Sequence, residues 1–339
     1  MSSANLKTES NLLFARIQSD FWDAEHRIYR EFWSSDKAEN DPAFNWSVGV
    51  MLTALNVRAR HDASAKDVLR QYVKTTGKYW NSRPPVAGFD VLPNPGGVDR
   101  YYDDNAWMVL ALAESSEVLD DPEQLKRAAL ALDYALSGED DKLGGGIYWR
   151  ESDKASKNTC SNSPTAYACL IMARRHGLKQ YQEPGLRVLK WTLENLLDKE
   201  DKLMWDSISI SSGNIGRDKW TYNAALTIAA LAEAERLGVK HDVTAREMFD
   251  SAWKKWRKPG TGIDNPGRFA HMLAEVGLRE GYISQKQGEE LTWDVLKLAR
   301  NNRFGHDWHR PAAADQKRFE LLDQASVLRW IELVNQAKR

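Results

Sequence analysis

The sequence is short of three things: cysteine, net charge and long apolar runs. Among its 339 residues, Cys160 and Cys169 are the two cysteines. On one predicted helix, at about 1.5 Å rise per residue, they would lie well over about 10 Å apart, which is too far for a disulfide. The formal net charge is −1, so no basic surface for a nucleic acid or an anionic membrane is predicted. No apolar stretch approaches the roughly 18 residues of a membrane span.

The first residues also lack a secretion signal. Segment 1–10 has no apolar core of the kind that directs export. The chain as written is therefore expected in the cytoplasm, or outside the cell with its signal already removed.

Tryptophan, in contrast, is abundant, with 14 residues in the chain. Some of these side chains are expected in the core of a large helical protein, where their apolar area contributes most. Others are expected to stack on sugar rings, because flat aromatic faces suit that contact. The composition alone leaves both interpretations open.

Apolar residues recur at helical spacing almost throughout, and no long strand is predicted. Gly138, Gly177 and Gly238 stand where a left-handed residue would end a helix. Pro122 and Pro184 stand in first helical turns, where proline is tolerated. The predicted helices span residues 9–33, 43–62, 64–80, 103–119, 122–137, 161–176, 184–198, 220–237, 243–257, 266–280, 285–301 and 313–337.

Two kinds of helix alternate along the chain. The third, fifth and seventh are amphipathic and should lie outside, whereas the second, fourth, sixth and eighth are apolar around most of their circumference and should be buried. Long connections, 81–102, 138–160 and 199–219, enter the buried helices, and long loops are usually functional. The pattern predicts an all-α (α/α)6 toroid of six helical hairpins, a single domain over 1–339, with its site where the inner helices begin. An α-solenoid would show a repeated motif and short loops at both ends, and the sequence has neither.

Two adjacent carboxylates, Asp103 and Asp104, open the fourth predicted helix. One aspartate would suffice to cap the helix, so a second at the mouth of a barrel indicates an additional catalytic role. Glycoside hydrolysis uses a pair of carboxyl groups, one protonated and one ionised. Burial and the charge of its neighbour would have to raise the pKa of whichever residue acts as the acid. The sequence itself does not assign the two roles.

Other polar and aromatic residues are predicted at the same mouth, where they would fix sugar hydroxyls or stack on sugar rings. A glycine-rich stretch, 144–146, precedes two of the aromatics and permits close approach of a ligand. The predicted substrate contacts are Asn45, Trp46, Tyr102, Asn105, Tyr148, Trp149, Asn162, Asp206, Tyr222, Asn223 and Trp308.

No metal or cofactor is predicted. The acidic residues 139–141 could bind calcium, but a solvated turn is favoured. His306, Asp307 and His309 could hold zinc, yet no fourth ligand is apparent. The Walker lysine pattern and the nucleophile elbow of Gly-x-Ser-x-Gly are both missing.

Four motifs resemble glycoside hydrolase family 76, the endo-α-1,6-mannanases. They are YYDDNAWMVLAL at 101–112, LSGEDDKLGGGIYW at 136–149, SNSPTAYACLIMARR at 161–175 and TYNAALTIAALAEAERLG at 221–238. The chain departs from the family after Tyr222-Asn223, where it has two alanines in place of the frequent Gln-Gly.

The resemblance implies an (α/α)6 barrel that hydrolyses α-1,6-mannosidic bonds of microbial mannan with retention. It also implies that Asp103 is the nucleophile and Asp104 the acid/base. A monomer that acts on a polysaccharide or oligosaccharide is expected, since a monomer is the default for this architecture.

Three alternatives stay open. A transglycosidase would use the same carboxylates. An epimerase or an unsaturated-uronide hydrolase on the same barrel would need histidines at the mouth, where His271 and His306 are the candidates. A non-catalytic protein could retain the cleft and bind a glycan without turnover.

Overall fold

The computed structural model describes residues 3–34, 40–94, 99–258, 260, 262–263, 267–300 and 318–336. Most of the described chain is helical. The helices are α1 (Ser3–Phe21), α2 (Asn45–His61), α3 (Ala65–Thr76), α4 (Tyr102–Leu119), α5 (Pro122–Leu136), α6 (Thr159–Arg174), α7 (Gln182–Leu196), α8 (Thr221–Arg236), α9 (Ala245–Trp256), α10 (Gly267–Arg279), α11 (Gln285–Arg300) and α12 (Leu321–Gln336).

Short strands occupy the connections between helices. They are β1 (Trp22–Asp23), β2 (Ile28–Tyr29), β3 (Phe32–Ser34), β4 (Trp80–Asn81), β5 (Gly88–Phe89), β6 (Ser156–Asn158), β7 (Leu197–Asp198), β8 (Leu203–Met204), β9 (Ser207–Ser209), β10 (Ile215–Gly216), β11 (Arg257–Lys258), β12 (Gly262–Ile263) and β13 (Arg318–Glu320). All pairings are antiparallel, and β10, β9 and β6 form a three-stranded sheet. The other strands pair two by two.

The even-numbered helices form a closed inner ring. Each of α2, α4, α6, α8 and α10 contacts the next, and α12 returns to contact α2. The odd-numbered helices pack outside this ring, α3 on α2, α5 on α4, α7 on α6, α9 on α8 and α1 on α12. The described helices therefore build the (α/α)6 barrel that the sequence predicts.

Burial explains why the helices sort in this way. Every residue of α6 from Thr159 to Ala173 is buried, as is most of α8. The outer helix α3, in contrast, buries one stripe that includes Leu69, Tyr72 and Val73. Apolar side chains around the whole circumference can be removed from water only inside the ring, whereas a single stripe requires one neighbour.

The first predicted helix, 9–33, is wrong at both ends. Helix α1 starts at Ser3 and ends at Phe21, after which β1 and β2 form a tight hairpin. The carboxylate of Asp23 accepts the backbone N–H groups of Glu25 and His26, each at 3.0 Å. Aspartate stabilises such turns by this local bond, and Arg27 completes the turn with a φ of 52°.

The last predicted helix, 313–337, also begins too early. Helix α12 starts at Leu321, because Arg318–Glu320 pair with β3 as strand β13. Residues 313–317 lie outside the described part of the chain. None of the described helices is long and apolar enough to cross a membrane.

Candidate active site

Four inner helices begin in the same way. Each follows a residue with extended backbone, namely Phe44, Tyr101, Asn158 and Trp220. The second residues of these helices are therefore equivalent around the ring. They are Trp46 in α2, Asp103 in α4, Cys160 in α6 and Tyr222 in α8.

These second residues meet at one end of the barrel. The rings of Trp46 and Tyr222 lie 6.1 Å apart between centroids, and Trp46 lies 6.3 Å from Trp107, one turn further into α4. The thiol of Cys160 lies close enough to Asp103 and Tyr222 to influence the pKa of each. The structure thus brings the predicted residues Trp46, Asp103 and Tyr222 together.

Asp103 lies in the mouth and is partly exposed. Its Oδ2 accepts a hydrogen bond from the indole Nε1 of Trp149 at 3.1 Å, and its Oδ1 accepts one from the backbone N–H of Asp104 at 3.0 Å. These donors favour the carboxylate form, but desolvation by the surrounding protein outweighs them. The pKa of Asp103 is raised to about 6.

Asp104 is more deeply buried, with 8% of its surface exposed. Burial raises its pKa well above the ordinary value, and the charges of Asp103 and Glu31 raise the pKa further. Glu31 is held by the backbone N–H of Phe44 and the hydroxyl of Ser47, both at 2.8 Å. Burial thus raises the pKa of both carboxyl groups, and the neighbouring charges raise that of Asp104 further. Glycoside cleavage uses one protonated and one ionised carboxyl group.

The glycine-rich connection before α6 is organised by Lys157, a residue that the sequence analysis missed. Its fully buried ammonium donates to Asp140 Oδ1 and to the carbonyl of Lys142, each at 2.7 Å, and to the carbonyl of Gly145 at 2.6 Å. Lysine side chains are rarely buried unless they are paired, so the sequence around Lys157 gives no sign that this lysine lies in the interior. The loop is wrapped around a buried cation.

Tyr148 and Trp149 differ in their placement. Tyr148 is fully buried and donates its hydroxyl to Asp140 at 2.7 Å, so it has no free face for stacking, contrary to the sequence prediction. Trp149 is 40% exposed beside Asp103. The edge of its ring contacts Tyr101 at 5.3 Å between centroids.

Asn105 and Asn162 are also fully buried, and both act as clamps on the backbone. The amide of Asn105 bonds both the N–H and the carbonyl of Phe89, at 2.7 and 3.0 Å. The amide of Asn162 bonds Ile147 in the same way, at 2.7 and 2.8 Å. Their side chains fasten the entering loops to α4 and α6 and do not face the mouth, which corrects the prediction that they contact a ligand.

Tyr102 is likewise part of the core. It is 2% exposed and stacks on Tyr134 with 5.1 Å between ring centroids. Gly138 lies directly against its ring, where a Cβ would approach to 2.6 Å. The predicted role of Tyr102 as a ligand contact is therefore corrected to one of packing.

Asp206 and Asn223 lie on the α6 and α8 side of the mouth. Asn223 Nδ2 is 3.4 Å from Asp206 Oδ1, and burial raises the pKa of Asp206. The backbone of Asp206 bonds Thr159 N–H at 2.8 Å, which fixes it at the start of α6. Asn45 is fully buried at the start of α2, and its side-chain amide has no hydrogen-bond partner among the described residues. Residues 306–309, which include the predicted contact Trp308, lie outside the described chain.

The sequence profile of glycosyl hydrolase family 76 matches residues 5–236. This chain belongs to that family. The match covers all of the mouth residues in α2, α4, α6 and α8, and it confirms the resemblance read from the motifs. No curated protein matches the chain significantly by sequence.

Solved structures share the fold of this family 76 member. An α-mannanase of the family from Bacteroides thetaiotaomicron has a TM-score of 0.85 at 24% identity, with 98% of this chain and 96% of that chain covered. An inactive α-1,6-mannanase variant from Salegentibacter sp. HEL1_6, in complex with α-1,6-mannotriose, has a TM-score of 0.73 at 19% identity, with 98% and 99% covered. Dfg5 from Chaetomium thermophilum, in complex with glucosamine, has a TM-score of 0.72 at 14% identity, with 99% and 92% covered.

His271 lies elsewhere in this family 76 barrel. It lines a partly open cavity of about 420 Å³ together with Trp107, Glu275 and Arg329. Glu275 and Arg329 form an ion pair at 2.6 Å. His271 is the fifth residue of α10, further along its helix than the second residues that meet at the mouth, and His306 lies outside the described residues. Within the described chain, no cluster of three His, Cys, Asp or Glu residues could hold a metal ion.

Two of the three acidic residues at 139–141 form ion pairs. Asp140 pairs with Lys157 at 2.7 Å, and Glu139 pairs with Arg187 at 2.7 Å. These bonds give the acidic turn a structural role in holding the loop against β6 and α7.

Proposed function

We propose that this protein hydrolyses α-1,6-mannosidic linkages with retention of configuration, with Asp103 as nucleophile and Asp104 as acid/base. The observation that carries the proposal is the contrast between two adjacent carboxyl groups in the mouth. Asp103 receives hydrogen bonds from Trp149 and the backbone, whereas Asp104 is buried near the charges of Asp103 and Glu31. Different environments at one site separate the pKa values of an acid and a nucleophile.

The fold relatives support the same roles. The Salegentibacter α-1,6-mannanase is described as inactive when two consecutive aspartates are replaced by asparagine. Asp103 and Asp104 are the consecutive aspartates of this chain at the start of an inner helix. An α-1,6-mannotriose is bound in that relative, which supports a mannan as the substrate here.

The chemistry proceeds in two steps. Asp104 gives its proton to the glycosidic oxygen while Asp103 attacks the anomeric carbon, so the glycosidic bond breaks and a covalent glycosyl ester forms. Asp104, now ionised, takes a proton from water, and the resulting hydroxide displaces Asp103 from the anomeric carbon. Two inversions give net retention, and both carboxyl groups return to their starting protonation states.

The remaining mouth residues supply sugar contacts in this proposal. Trp149 has an exposed ring beside Asp103, and Trp46 and Tyr222 are partly exposed nearby. Asp206 is partly exposed and offers its carboxylate to sugar hydroxyls, the arrangement expected of a carbohydrate cleft. Asn223 lies beside it but is fully buried. If an acceptor sugar replaces water in the second step, the same residues perform transglycosylation.

The test is release of reducing sugar from linear α-1,6-mannan by the wild type, Asp103→Asn, Asp104→Asn and the control Asp141→Asn. Asp141 is exposed, so its variant should retain activity. Asp103→Asn and Asp104→Asn should each reduce turnover about a thousandfold or more, because each removes a catalytic group. Proton NMR of the first product should show the α anomer. An inactive wild type, or a β anomer formed first, would overturn the proposal, and longer oligosaccharides among the products would indicate transfer.

The pH profile gives a second test. Because Asp103 must be ionised and its pKa is about 6, kcat/KM should fall below about pH 6. Asp104 must be protonated, so kcat/KM should also fall at high pH. Because the pKa of Asp104 is raised, this fall should occur well above the ordinary carboxyl range. The two limbs report macroscopic values of the pair.

The same pKa values predict that the inactive variants stay folded. A carboxyl group whose pKa is raised by folding stabilises the folded chain at low pH, and this contribution is lost as pH rises through about 6 for Asp103. Asparagine cannot ionise, so Asp103→Asn and Asp104→Asn should unfold at temperatures no lower than the wild type at neutral pH. Thermal unfolding by circular dichroism measures this directly.

A further inference from the structure

Two segments run side by side at the edge of the mouth, one leading into α4 and one following the glycine-rich stretch. Tyr101 and Arg150 pair across them as an isolated antiparallel bridge, and the N–H of Tyr102 donates to the carbonyl of Trp149 at 3.0 Å. Arg100 and Tyr102, on either side of Tyr101, are both buried. Successive side chains of extended backbone point to opposite sides, so the ring of Tyr101 is directed outward and is partly exposed.

A continuous row of side-chain contacts runs along these two segments to the catalytic pair. Asp99 accepts a hydrogen bond from Arg150 Nε, and the Arg150 guanidinium lies over the ring of Tyr101, 5.5 Å from its centroid. The rings of Tyr101 and Trp149 meet edge to face, with 5.3 Å between centroids and 64° between planes. Trp149 Nε1 then donates to Asp103 Oδ2 at 3.1 Å. The row begins and ends at a carboxylate.

We propose that Tyr101 is a positioning residue for Asp103, because its ring holds the indole of Trp149 in the orientation in which the N–H group reaches the carboxylate. This inference rests on the proposed role of Asp103 as nucleophile. Trp149 is 40% exposed, so the core does not enclose its ring on all sides. An edge-to-face aromatic pair has a preferred geometry, and the cation–π contact with Arg150 holds the Tyr101 ring in turn.

Tyr101 can be replaced without removing a charge from the site. Burial raises the pKa of its hydroxyl above the ordinary value, so the residue is neutral wherever Asp103 titrates. Cys160 and Asp104 also influence the pKa of Asp103, and both are retained in every variant of Tyr101. A change in the titration of Asp103 then reports on the donor Trp149.

The functional test compares the kcat/KM profiles of Trp149→Phe, Tyr101→Leu and Tyr101→Phe. Trp149→Phe removes the donor to ionised Asp103, so the acid limb should move up by about one pH unit. Tyr101→Leu removes the edge-to-face contact and should move the limb up by about half a unit, because an aromatic pair contributes energy of that order. Tyr101→Phe keeps the ring and should hold the limb at its wild-type position.

A packing role for Tyr101 would give a different result. It would lower activity equally at every pH and leave the acid limb in place in Tyr101→Leu. That outcome, or an equal shift in Tyr101→Leu and Tyr101→Phe, would overturn the proposal.

Nuclear magnetic resonance of the indole N–H groups separates this inference from the proposed function. In the proton–nitrogen correlation spectrum, the signal missing from Trp149→Phe belongs to Trp149. This signal should move as Asp103 titrates and should not do so in Asp103→Asn. In Tyr101→Leu the movement should shrink while the other indole signals keep their positions, which shows that the fold is intact.

The two proposals then fail in different ways. A wild type without mannanase activity would refute the proposed function, and the Trp149 signal would still decide the positioning role. A Trp149 signal that ignores the titration of Asp103, or that moves in full in Tyr101→Leu, would refute the positioning role even in an active enzyme.

Discussion

Replacing Lys157 with methionine should destabilise the fold more than any exposed lysine change on the same loop. The ammonium donates to Asp140 and to the carbonyls of Lys142 and Gly145 within 2.7 Å. It also lies 4.7 Å from the ring centroid of Tyr148. Methionine is an unbranched side chain one atom shorter than lysine, and it leaves these acceptors without their donor.

The size of the expected loss of stability depends on the acceptor groups that stay buried without a donor. Breaking a buried ion pair by removing one partner costs about 3–5 kcal/mol, because the other partner is left without compensation. Asp140 retains 33% side-chain exposure, so water can reach its carboxylate and the lower end applies. We therefore expect Lys157→Met to lower the free energy of unfolding by about 3 kcal/mol.

Urea unfolding followed by tryptophan fluorescence measures this loss, with refolding used to show that the transition is reversible. Lys154→Met is the matched control, because Lys154 is exposed and its ammonium lies 5.3 Å from the centroid of the same Tyr148 ring. A cation–π contact of this kind contributes about 0.5–1 kcal/mol, so this variant should lose no more than that. Equal losses in the two variants would refute the argument that the loop is built around a buried cation.

Two further predictions concern the same loop. Gly146→Ala should cost at least about 2 kcal/mol more than Gly144→Ala by the same urea assay. Both glycines have positive φ, 79° and 75°, but a Cβ at Gly146 would lie 2.4 Å from the ring of Trp191 while one at Gly144 meets nothing within 4 Å. Trp149→Phe keeps an aromatic ring but removes the donor to Asp103, so kcat on mannan should fall about tenfold with unfolding unchanged, given about 1.5 kcal/mol for a hydrogen bond to a charged group. Equal stability of the two glycine variants, or an unchanged kcat, would contradict these arguments.

The barrel could be predicted from the sequence because its two kinds of helix differ over many residues. The predicted helix 43–62 corresponds to Asn45–His61, and 122–137 corresponds to Pro122–Leu136. The strands could not be predicted, since most are two residues long and no period is visible over two residues. One pairing also joins segments that are far apart in the sequence, as in Trp33 with Phe319.

The candidate site was predicted in position but only partly in detail. Tyr148 and Trp149 are adjacent in the sequence, and nothing local decides which of them faces the mouth. The structure decides it because Tyr148 pairs as an isolated bridge with Lys157, and successive side chains of extended backbone point to opposite sides. Similarly, Asn105 at a helix start is a good candidate for a sugar contact until its partner Phe89 is known.

The register of the inner helices explains why two neighbouring aspartates can have different chemistry. Successive residues of a helix are separated by about 100° around its axis, so Asp103 and Asp104 cannot share one environment. Asp103 is the second residue of α4, and it lies near the second residue of the next inner helix, α6. Asp104 is turned toward α2, where Glu31 caps the first turn and its charge opposes ionisation. A shift of the helix start by one residue would place Asp104 where Asp103 lies now. The backbone that precedes α4, fixed by the bond of Tyr102 N–H to the carbonyl of Trp149 at 3.0 Å, therefore determines which aspartate lies in the more buried position.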